Sequence, residues 1–329
     1  IVCRVINGGI ISDRKAINVP GVHLSLPFLS DVDRRDLEFA MKTGFDFFAL
    51  SFVRCAEDVL EVRRLQKEHN NTSKLIAKIE SQEGVENLDA IIDVADGIMV
   101  ARGDMGVEIP FEKVPVVQKD MISKCLKSGK FVIVATQMLE SMTHNPRPTR
   151  AEVNDVANAI FDQTSAVMLS GESAAGDYPV EAVKTMSRIC HEIEKTTTTG
   201  KFEITYNGSN LASSIACAAC SIASVINADA IIPVSLSGST IRKVSGFRPN
   251  INIIGCSTNE CVCRETSLMW GVTPVLITEQ ADGEALINEV ISKCKTAGVI
   301  KSGNRVVIVA GFPLRIAGAT NMIRVVDVE

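Results

Sequence analysis

The chain has 329 residues, of which 46% are hydrophobic and 22% are charged. This length suits about two domains, and the composition is that of a globular protein, which excludes disorder and collagen-like repeats. The 34 Lys and Arg residues and 39 Asp and Glu residues give a formal net charge of -5 without a dense basic run, so we expect no nucleic-acid or membrane partner.

Short β-branched runs in the first half of the chain predict buried strands, separated by segments with the apolar spacing of helices. The predicted strands cover residues 45–51, 75–79, 97–101, 131–135 and 166–169. Capping boxes predict that one helix begins at Ser30 with Asp33, and another at Thr149 with Glu152. Gly44 stands where it can end the first of these helices.

A polar run at residues 196–200 predicts the boundary between two domains. A helix is predicted before it, at residues 182–194. After it, the predicted helices are 211–226 and 285–294, and the predicted strands are 230–236, 251–256, 275–278 and 305–310. This alternation predicts a doubly wound α/β domain over residues 196–329.

The repeat before the boundary is typical of a (β/α)8 TIM barrel, although only five of the eight strands are predicted. Five parallel strands alone would leave two unpaired edges and an open core. We therefore interpret residues 21–195 as the last five strands of a partial TIM barrel. The first three units are expected upstream of Ile1.

The cysteines are scattered along the chain. Cys217 and Cys220 form a CxxC pair, which we interpret as two small residues on a buried helix, because no second pair follows at zinc-site spacing. Scattered cysteines in a large α/β chain predict reduced thiols and a cytoplasmic location.

Polar side chains gather where the predicted barrel strands end. Lys78 and Glu80 are two residues apart and share one face of a strand end. Asp104 and Thr136 follow the next two strands, and such ends converge on one pocket in a barrel. Two carboxylates suit Mg²⁺, and a Lys beside them suits phosphoryl transfer or enolate stabilisation, because both reactions place negative charge on oxygens.

Each of these residues also has a structural interpretation. A Lys at a strand end is often a solvated charge, and a carboxylate or Thr136 after a strand can cap a helix. Gly103 lies in a turn whose backbone N–H groups can bind an anion. Ser170 and Glu172 follow the last predicted strand in the same way. Because polar groups thus occur at four successive strand ends, the functional interpretation is favoured.

Five stretches of the chain closely resemble the pyruvate kinase family. They are IAKIES around Lys78, GIMVARGDMGVEIP at 97–110, ATQMLESM at 135–142, NPRPTRAEVNDVANAI at 145–160 and MLSGESAAGDYPVEAV at 168–183. The resemblance implies a (β/α)8 barrel with an inserted lid domain, followed by a C-terminal α/β domain. It assigns residues 1–20 to a remnant of the lid (B) domain, 21–195 to the catalytic barrel and 196–329 to a regulatory domain.

The resemblance implies phosphoryl transfer from phosphoenolpyruvate to ADP, which gives pyruvate and ATP in glycolysis. Lys78 would stabilise the transferring phosphoryl group and the enolate, and Glu80 and Asp104 would bind Mg²⁺ or Mn²⁺. Ser170 and Glu172 would belong to a supporting water network for proton transfer. K⁺ is also expected, with its ligands mostly upstream of this chain, so the chain from Ile1 is not expected to be active by itself.

By the same resemblance, the substrate carboxylate would be held by the amides of Gly103 and Asp104 and by the Thr136 hydroxyl. Ala101 and Arg102 would shape that pocket. Thr136 would also lie on the proton route to the enolate.

The C-terminal domain resembles the family's domain for a phosphorylated allosteric effector. The implied effector-binding residues are Ser235, Ser237, Gly238, Ser239, Thr240 and Gly318. Leu236 stands where activator-sensitive members carry a basic residue, which argues against a sugar phosphate. The family also implies a homotetramer.

Two other functions stay open at this point. The chain could be a non-catalytic fragment or homologue that senses a phosphorylated metabolite. It could also be a different Mg²⁺-enolate barrel, such as an aldolase-like lyase, which uses similar carboxylate and metal chemistry.

Overall fold

The computed structural model describes residues 2–13, 17–22, 25–196, 210–314 and 319–329. Within these ranges the strands form two five-stranded sheets. The first sheet contains β1 (Phe47–Leu50), β2 (Lys74–Ile79), β3 (Gly97–Ala101), β4 (Phe131–Ala135) and β5 (Ala166–Val167). The second contains β6 (Ala230–Pro233), β7 (Asn252–Ser257), β8 (Val272–Leu276), β9 (Arg305–Gly311) and β10 (Thr320–Asp327).

The α-helices follow the strands in alternation. Those of the first part are α1 (Asp31–Thr43), α2 (Ala56–Glu68), α3 (Gln82–Glu86), α4 (Leu88–Val94), α5 (Arg102–Glu108), α6 (Val114–Lys127), α7 (Arg150–Phe161), α8 (Gly171–Ala174) and α9 (Pro179–Thr196). Those of the second part are α10 (Leu211–Val225), α11 (Ser239–Gly246), α12 (Glu260–Thr266) and α13 (Gly283–Thr296).

The first sheet is parallel, and its strands lie in chain order from β1 to β5. All residues of β3 and β4 are buried, as expected for parallel strands covered on both faces. Gly97 in β3 permits close packing, because a Cβ there would lie 2.2 Å from the Phe131 ring. Strands in chain order, each followed by a helix, are the arrangement predicted for part of a TIM barrel.

Both predicted capping boxes are present. The Ser30 side chain accepts from the Asp33 amide while the Asp33 carboxylate accepts from the Ser30 amide. Thr149 and Glu152 form the same reciprocal pair at the start of α7. Gly44 ends α1 with a left-handed φ of 83°, which glycine adopts at little cost.

The second sheet has the order β10-β9-β6-β7-β8 and is parallel except for the antiparallel pair of β9 and β10. The chain moves outward from β6 to β8 and then crosses to β9 on the other side of β6. This reversal confirms the predicted doubly wound topology, and the switch point lies between the carboxyl ends of β6 and β9.

Several predicted boundaries in both domains were wrong. The prediction missed β10, an edge strand with many half-exposed residues, and it assigned no element to the residues of α11. The strand predicted at 230–236 ends at Pro233, because the chain then turns into α11. The strand predicted at 166–169 is reduced to Ala166–Val167, which pairs only with β4 within the described ranges.

The segment before the barrel and the segment between the two domains contain no described helix or strand beyond the end of α9. Residues 2–13 and 17–22 form no helix or strand and their side chains are exposed, and their assignment to a lid remnant stays a prediction. The domain boundary predicted at 196–200 falls almost wholly outside the described residues. Cys217 and Cys220 are buried on α10. Among the described helices, none is both long and apolar enough to cross a bilayer.

Polar contacts join the two domains at the amino ends of the barrel strands. Arg264 on α12 donates through Nε to both carboxylate oxygens of Asp46, at 3.1 and 2.9 Å. Nζ of Lys74 lies 3.4 Å from Oε2 of Glu265. Asp46 precedes β1 and Lys74 begins β2, so the C-terminal domain lies against the end of the barrel opposite the carboxyl ends of its strands.

The contact between Asp46 and Arg264 is expected to depend on pH. The hydrogen bond from Arg264 lowers the pKa of Asp46 from its ordinary value of 3.8. A carboxyl with a lowered folded-state pKa stabilises the fold above its unfolded pKa, and this contribution is lost as the pH falls through the folded pKa. Asp46→Asn should therefore lower Tm at neutral pH, and its difference from wild type should shrink below about pH 4.

Thermal unfolding of both proteins at neutral pH and at about pH 3 measures this effect. Asp36→Asn, at an exposed carboxylate on α1, is the control and should leave Tm nearly unchanged at both values. A Tm difference for Asp46→Asn that persisted at full size in acid would contradict the proposed linkage.

Candidate active site at the carboxyl ends of the barrel strands

Lys78 and Glu80 meet at the carboxyl end of β2. The Lys78 Nζ atom lies 3.0 Å from Oε1 of Glu80 and donates to Oγ of Ser51 at 2.9 Å. The Lys78 side chain is 24% exposed, whereas that of Glu80 is only 2% exposed. Because Ser51 follows β1, the ends of two neighbouring strands hold one accessible ammonium group.

The second oxygen of Glu80 accepts a hydrogen bond from the backbone N–H of Phe52 at 2.5 Å. Phe52 has a φ of 52°, a left-handed conformation that is unfavourable for a bulky residue. The buried Glu80 carboxylate is thus paired on both oxygens, with an ammonium group and with an amide. This pairing compensates for its loss of hydration and holds its orientation.

The turn after β3 lies beside the end of β2. In the parallel register, Ile79 is opposite Val100, so Glu80 is level with Ala101. Asp104 is in the first turn of α5, is half-buried, and has no hydrogen bond or ion pair to any described residue. Its carboxylate is therefore available to a ligand.

Gly103 and Thr136 are joined by a hydrogen bond between the ends of β3 and β4. The Gly103 amide donates to the Thr136 hydroxyl at 2.8 Å, and that hydroxyl donates to the Ala135 carbonyl at 2.6 Å. Thr136 and Gln137 have φ values of 68° and 53°. Two consecutive non-glycine residues in this conformation indicate stored backbone strain, which the surrounding contacts must hold in place.

Arg102 supplies those contacts. Its guanidinium donates to the Thr136 carbonyl at 2.6 Å and to the Ala135 carbonyl at 3.2 Å. It also forms an ion pair with Asp155 of α7, at 2.6 Å, and its side chain is 11% exposed. The resemblance implied that Arg102 shapes the pocket, and the structure places its side chain on the backbone of the Thr136 turn.

Glu172 joins the segments after β4 and β5. Its two oxygens accept from the backbone N–H groups of Leu139, at 2.9 Å, and Ser170, at 2.7 Å, and the residue is fully buried. The carboxylate therefore holds the loop after β4 and the loop after β5 together at the carboxyl ends of the barrel strands. Participation of Ser170 and Glu172 in a water network stays a prediction.

Glu172→Gln should lower the free energy of unfolding by about 2 kcal/mol, because the amide NH₂ group cannot accept one of the two buried N–H groups. Chemical denaturation measures the change. Glu181→Gln, at an exposed position on α9, is the control and should change the stability by less than about 0.5 kcal/mol. If Glu172→Gln were as stable as wild type, the Glu172 carboxylate would not hold the two loops together.

The two carboxylates of Glu80 and Asp104 fit a magnesium ion by their chemistry. Mg²⁺ usually takes one or two protein carboxylates and keeps water and phosphate oxygens as its other ligands. Within the described ranges, no cluster of three or more His, Cys, Asp or Glu residues is placed to hold a metal.

Sequence reasoning missed the residues that hold this site together. Ser51 and Phe52 follow β1, so the same rule about strand ends could have found them. Asp155 lies on a helix, 53 positions from Arg102, and no local pattern connects the two.

Three of the predicted effector residues, Ser235, Ser237 and Thr240, lie at the switch point of the second sheet. Ser235 and Thr240 are buried, and the Thr240 amide donates to Oγ of Ser235 at 3.4 Å. The hydroxyls of Thr240 and Thr320 are 2.7 Å apart, which joins this loop to the start of β10. Ser235, Ser237 and Thr240 line a small cleft there, and the apolar side chain of Leu236 also lines it.

Two other predicted effector residues, Gly238 and Ser239, are not among the described residues that line this cleft. Gly238 caps α11 with a φ of 76°, and Ser239 is the first residue of that helix. Gly318 lies outside the described residues.

Comparisons with known proteins support the resemblance. The family model "Pyruvate kinase, barrel domain" matches residues 1–183, and the model "Pyruvate kinase, alpha/beta domain" matches residues 213–326. A pyruvate kinase of Clostridium acetobutylicum is 46% identical over 333 residues, which cover 100% of this chain and 70% of that protein. Pyruvate kinases of Staphylococcus aureus strains MRSA252 and USA300 are 45% identical over 98% of this chain.

The chain spans 56% of the length of the two S. aureus proteins. The two family models match the chain in the same order as the two observed domains. The barrel model alone covers more than half of the chain. The chain therefore belongs to the pyruvate kinase family.

Proposed function

We propose that this chain carries the catalytic groups for phosphoryl transfer from phosphoenolpyruvate to ADP, giving pyruvate and ATP. One observation supports this most directly. The Lys78 ammonium group is held 3.0 Å from Glu80 and 2.9 Å from Ser51, at a strand end that is level with the turn after β3.

Lys78 would act on negative charge. As the phosphoryl group leaves phosphoenolpyruvate, charge develops on the enolate oxygen and stays on the phosphoryl oxygens. An ammonium group already oriented by Ser51 and Glu80 stabilises this charge without reorganising at the moment of reaction. Its partial exposure leaves it open to a substrate.

Glu80 and Asp104 would hold the divalent cation. Asp104 has no partner among the described residues, and Glu80 is ordered by Lys78 and Phe52. When bound, Mg²⁺ supplies positive charge to substrate oxygens.

The turn after β3 would hold the substrate carboxylate. The Gly103 N–H now donates to the Thr136 hydroxyl, so a carboxylate that binds this N–H must replace that contact. The released Thr136 hydroxyl could then donate to the carboxylate itself or to the enolate. The proton on Thr136 points to the Ala135 carbonyl in the free structure, and its place on the proton route stays part of this proposal.

We also propose that the switch-point cleft binds a phosphorylated effector. Its hydroxyls from Ser235, Ser237 and Thr240 can donate to phosphate oxygens, and ligands of doubly wound domains usually bind at such a switch point. Leu236 contributes no charge, so a ligand with a single phosphate fits better than a bisphosphate. Assembly as a homotetramer and a cytoplasmic location remain expectations.

A coupled assay of pyruvate formation from phosphoenolpyruvate and ADP tests the main proposal, with Mg²⁺ present and then removed by a chelator. Because the chain covers only part of its S. aureus relatives, a thermal titration of the chain with Mg²⁺ and phosphoenolpyruvate is the second readout. We expect Tm to rise with substrate concentration. Absence of turnover together with absence of this stabilisation would overturn the catalytic proposal and favour the effector-binding alternative.

A further inference from the structure

A separate pocket lies between the two domains, at the end of the barrel opposite the candidate active site. On the barrel side it is lined by the turn before β4 and by the segment before β5. On the other side it is lined by the end of α11 and by the segment before β8. The polar and glycine residues that matter here are Gly129, Lys130, Ser165, Arg242, Ser245 and Arg248.

The charges of this pocket are all positive. Lys130, Arg242 and Arg248 line it, and none of the described residues that line it is an Asp or Glu. Three cations around one small space repel each other, and the repulsion is strongest where water is excluded. An arrangement of this kind is unfavourable unless an anion compensates for the charge.

Arg248 is the most buried of the three, at 8% exposure. Its guanidinium donates to the Ser245 carbonyl at 2.9 Å and to the Ser165 hydroxyl at 3.0 Å, and Nε has no partner among the described residues. Its guanidinium carbon also lies 5.4 Å from the centroid of the Trp270 ring. All these partners are neutral, and burial lowers the pKa of Arg248 to about 10.

Neither Lys130 nor Arg242 forms an ion pair with a described carboxylate, although Asp96 and Asp93 attract Lys130 from a distance. The Lys130 ammonium donates to the Ala95 carbonyl at 2.7 Å, and burial lowers its pKa. The nearby Asp96 carboxylate already binds Arg63, at 2.5 Å. The Arg242 guanidinium is half-buried and forms no hydrogen bond or ion pair with a described residue.

We propose that this interdomain pocket binds a small oxyanion of the phosphate type. Arg242 and Lys130 would supply charge, and Arg248 would hold the two domains around the ligand. The cavity volume is about 20 Å³, so a phosphate group would bind at the opening of the pocket, and a nucleotide base is too large to enter it. The space beside Gly129 and Gly246 is open, since no atom lies within 4 Å of a Cβ built on either residue.

Binding of such an anion would strengthen the contact between the domains, because its charge would be shared by groups from both. This proposal does not depend on the catalytic function, since the pocket shares no residue with the site at the strand ends. It also differs from the switch-point cleft, whose lining residues are different.

Isothermal titration calorimetry of the full chain with inorganic phosphate, at constant ionic strength, tests the proposal. We expect saturable binding that Arg242→Gln weakens by at least about tenfold. Lys243→Gln is the matched control, because Lys243 is the next residue on α11 and does not line the pocket. It should change the affinity by less than about twofold.

Two further variants separate this pocket from the other candidate anion sites. Lys78→Met and Thr240→Ala can each remove a phosphate site of their own, but they should leave unchanged the affinity of the site that Arg242→Gln weakens. Three results would overturn the proposal: no saturable binding, equal weakening by Arg242→Gln and Lys243→Gln, or loss of the Arg242-dependent binding in Lys78→Met or Thr240→Ala. In each case Arg248 would be a structural residue that caps α11 and packs on Trp270.

Discussion

Replacing Lys78 by Met should lower kcat for pyruvate formation by at least about 10³-fold. The ammonium group is the only positive side chain with a described contact to Glu80, and Met cannot stabilise charge on the enolate or the phosphoryl group. A loss confined to kcat, with little change in KM, would indicate that the contact forms mainly in the transition state. Steady-state kinetics of the full-length protein provide both values.

The same substitution should also affect stability. It leaves the buried Glu80 carboxylate with the Phe52 amide as its remaining described partner, and loss of the charged partner should lower the free energy of unfolding by about 2 kcal/mol. Lys74→Met is the matched control, because Lys74 lies on the same strand at the opposite end and pairs with Glu265. Its kcat should stay within about threefold of wild type. Unchanged turnover in Lys78→Met, measured on folded protein, would remove Lys78 from the mechanism.

Arg102→Met should lower the free energy of unfolding by about 3 kcal/mol. The substitution leaves Asp155 without its cation and frees the Thr136 carbonyl, while the Ala135 carbonyl keeps the Thr136 hydroxyl as a donor. The strained Thr136 turn should then relax, because nothing else described binds the Thr136 carbonyl. Chemical denaturation measures the loss of stability.

Relaxation of this turn should also impair the reaction. If the Thr136 hydroxyl moves away from the Gly103 amide, kcat should fall by at least about tenfold even under conditions where the variant is fully folded. Lys119→Met is the control: Lys119 forms an ion pair with Asp162 at 2.5 Å, but its side chain is 52% exposed. That variant should lose less than about 1 kcal/mol and keep its kcat. Equal behaviour of the two variants would contradict the positioning role of Arg102.

The site is built from hydrogen bonds between neighbouring strand ends. Ser51 joins the end of β1 to Lys78 on β2, and Gly103 after β3 binds Thr136 after β4. Glu172 in turn joins the segments that follow β4 and β5. A change at one strand end is therefore expected to disturb the neighbouring end as well.

Local sequence information is sufficient for elements whose pattern is complete within a few residues. The buried runs of β3 and β4 were predicted to their ends, because strands covered on both faces must be apolar at every position. The capping boxes at Ser30 and Thr149 were also correct, since their bonds join residues three positions apart. The edge strand β5 was predicted too long and the edge strand β10 was missed, because half-exposed strands lack such a pattern.

The sequence by itself determined the alternation of strands and helices, the pairing of Lys78 with Glu80 on one strand face, and the likeness to a known family. These features depend on residues that are close together in the chain. Only the tertiary structure decided that Ser51 orients Lys78, that Asp155 anchors Arg102, and that three cations meet between the domains. Those contacts join residues distant in sequence, and they arise only when packing of the apolar cores brings separate segments into register.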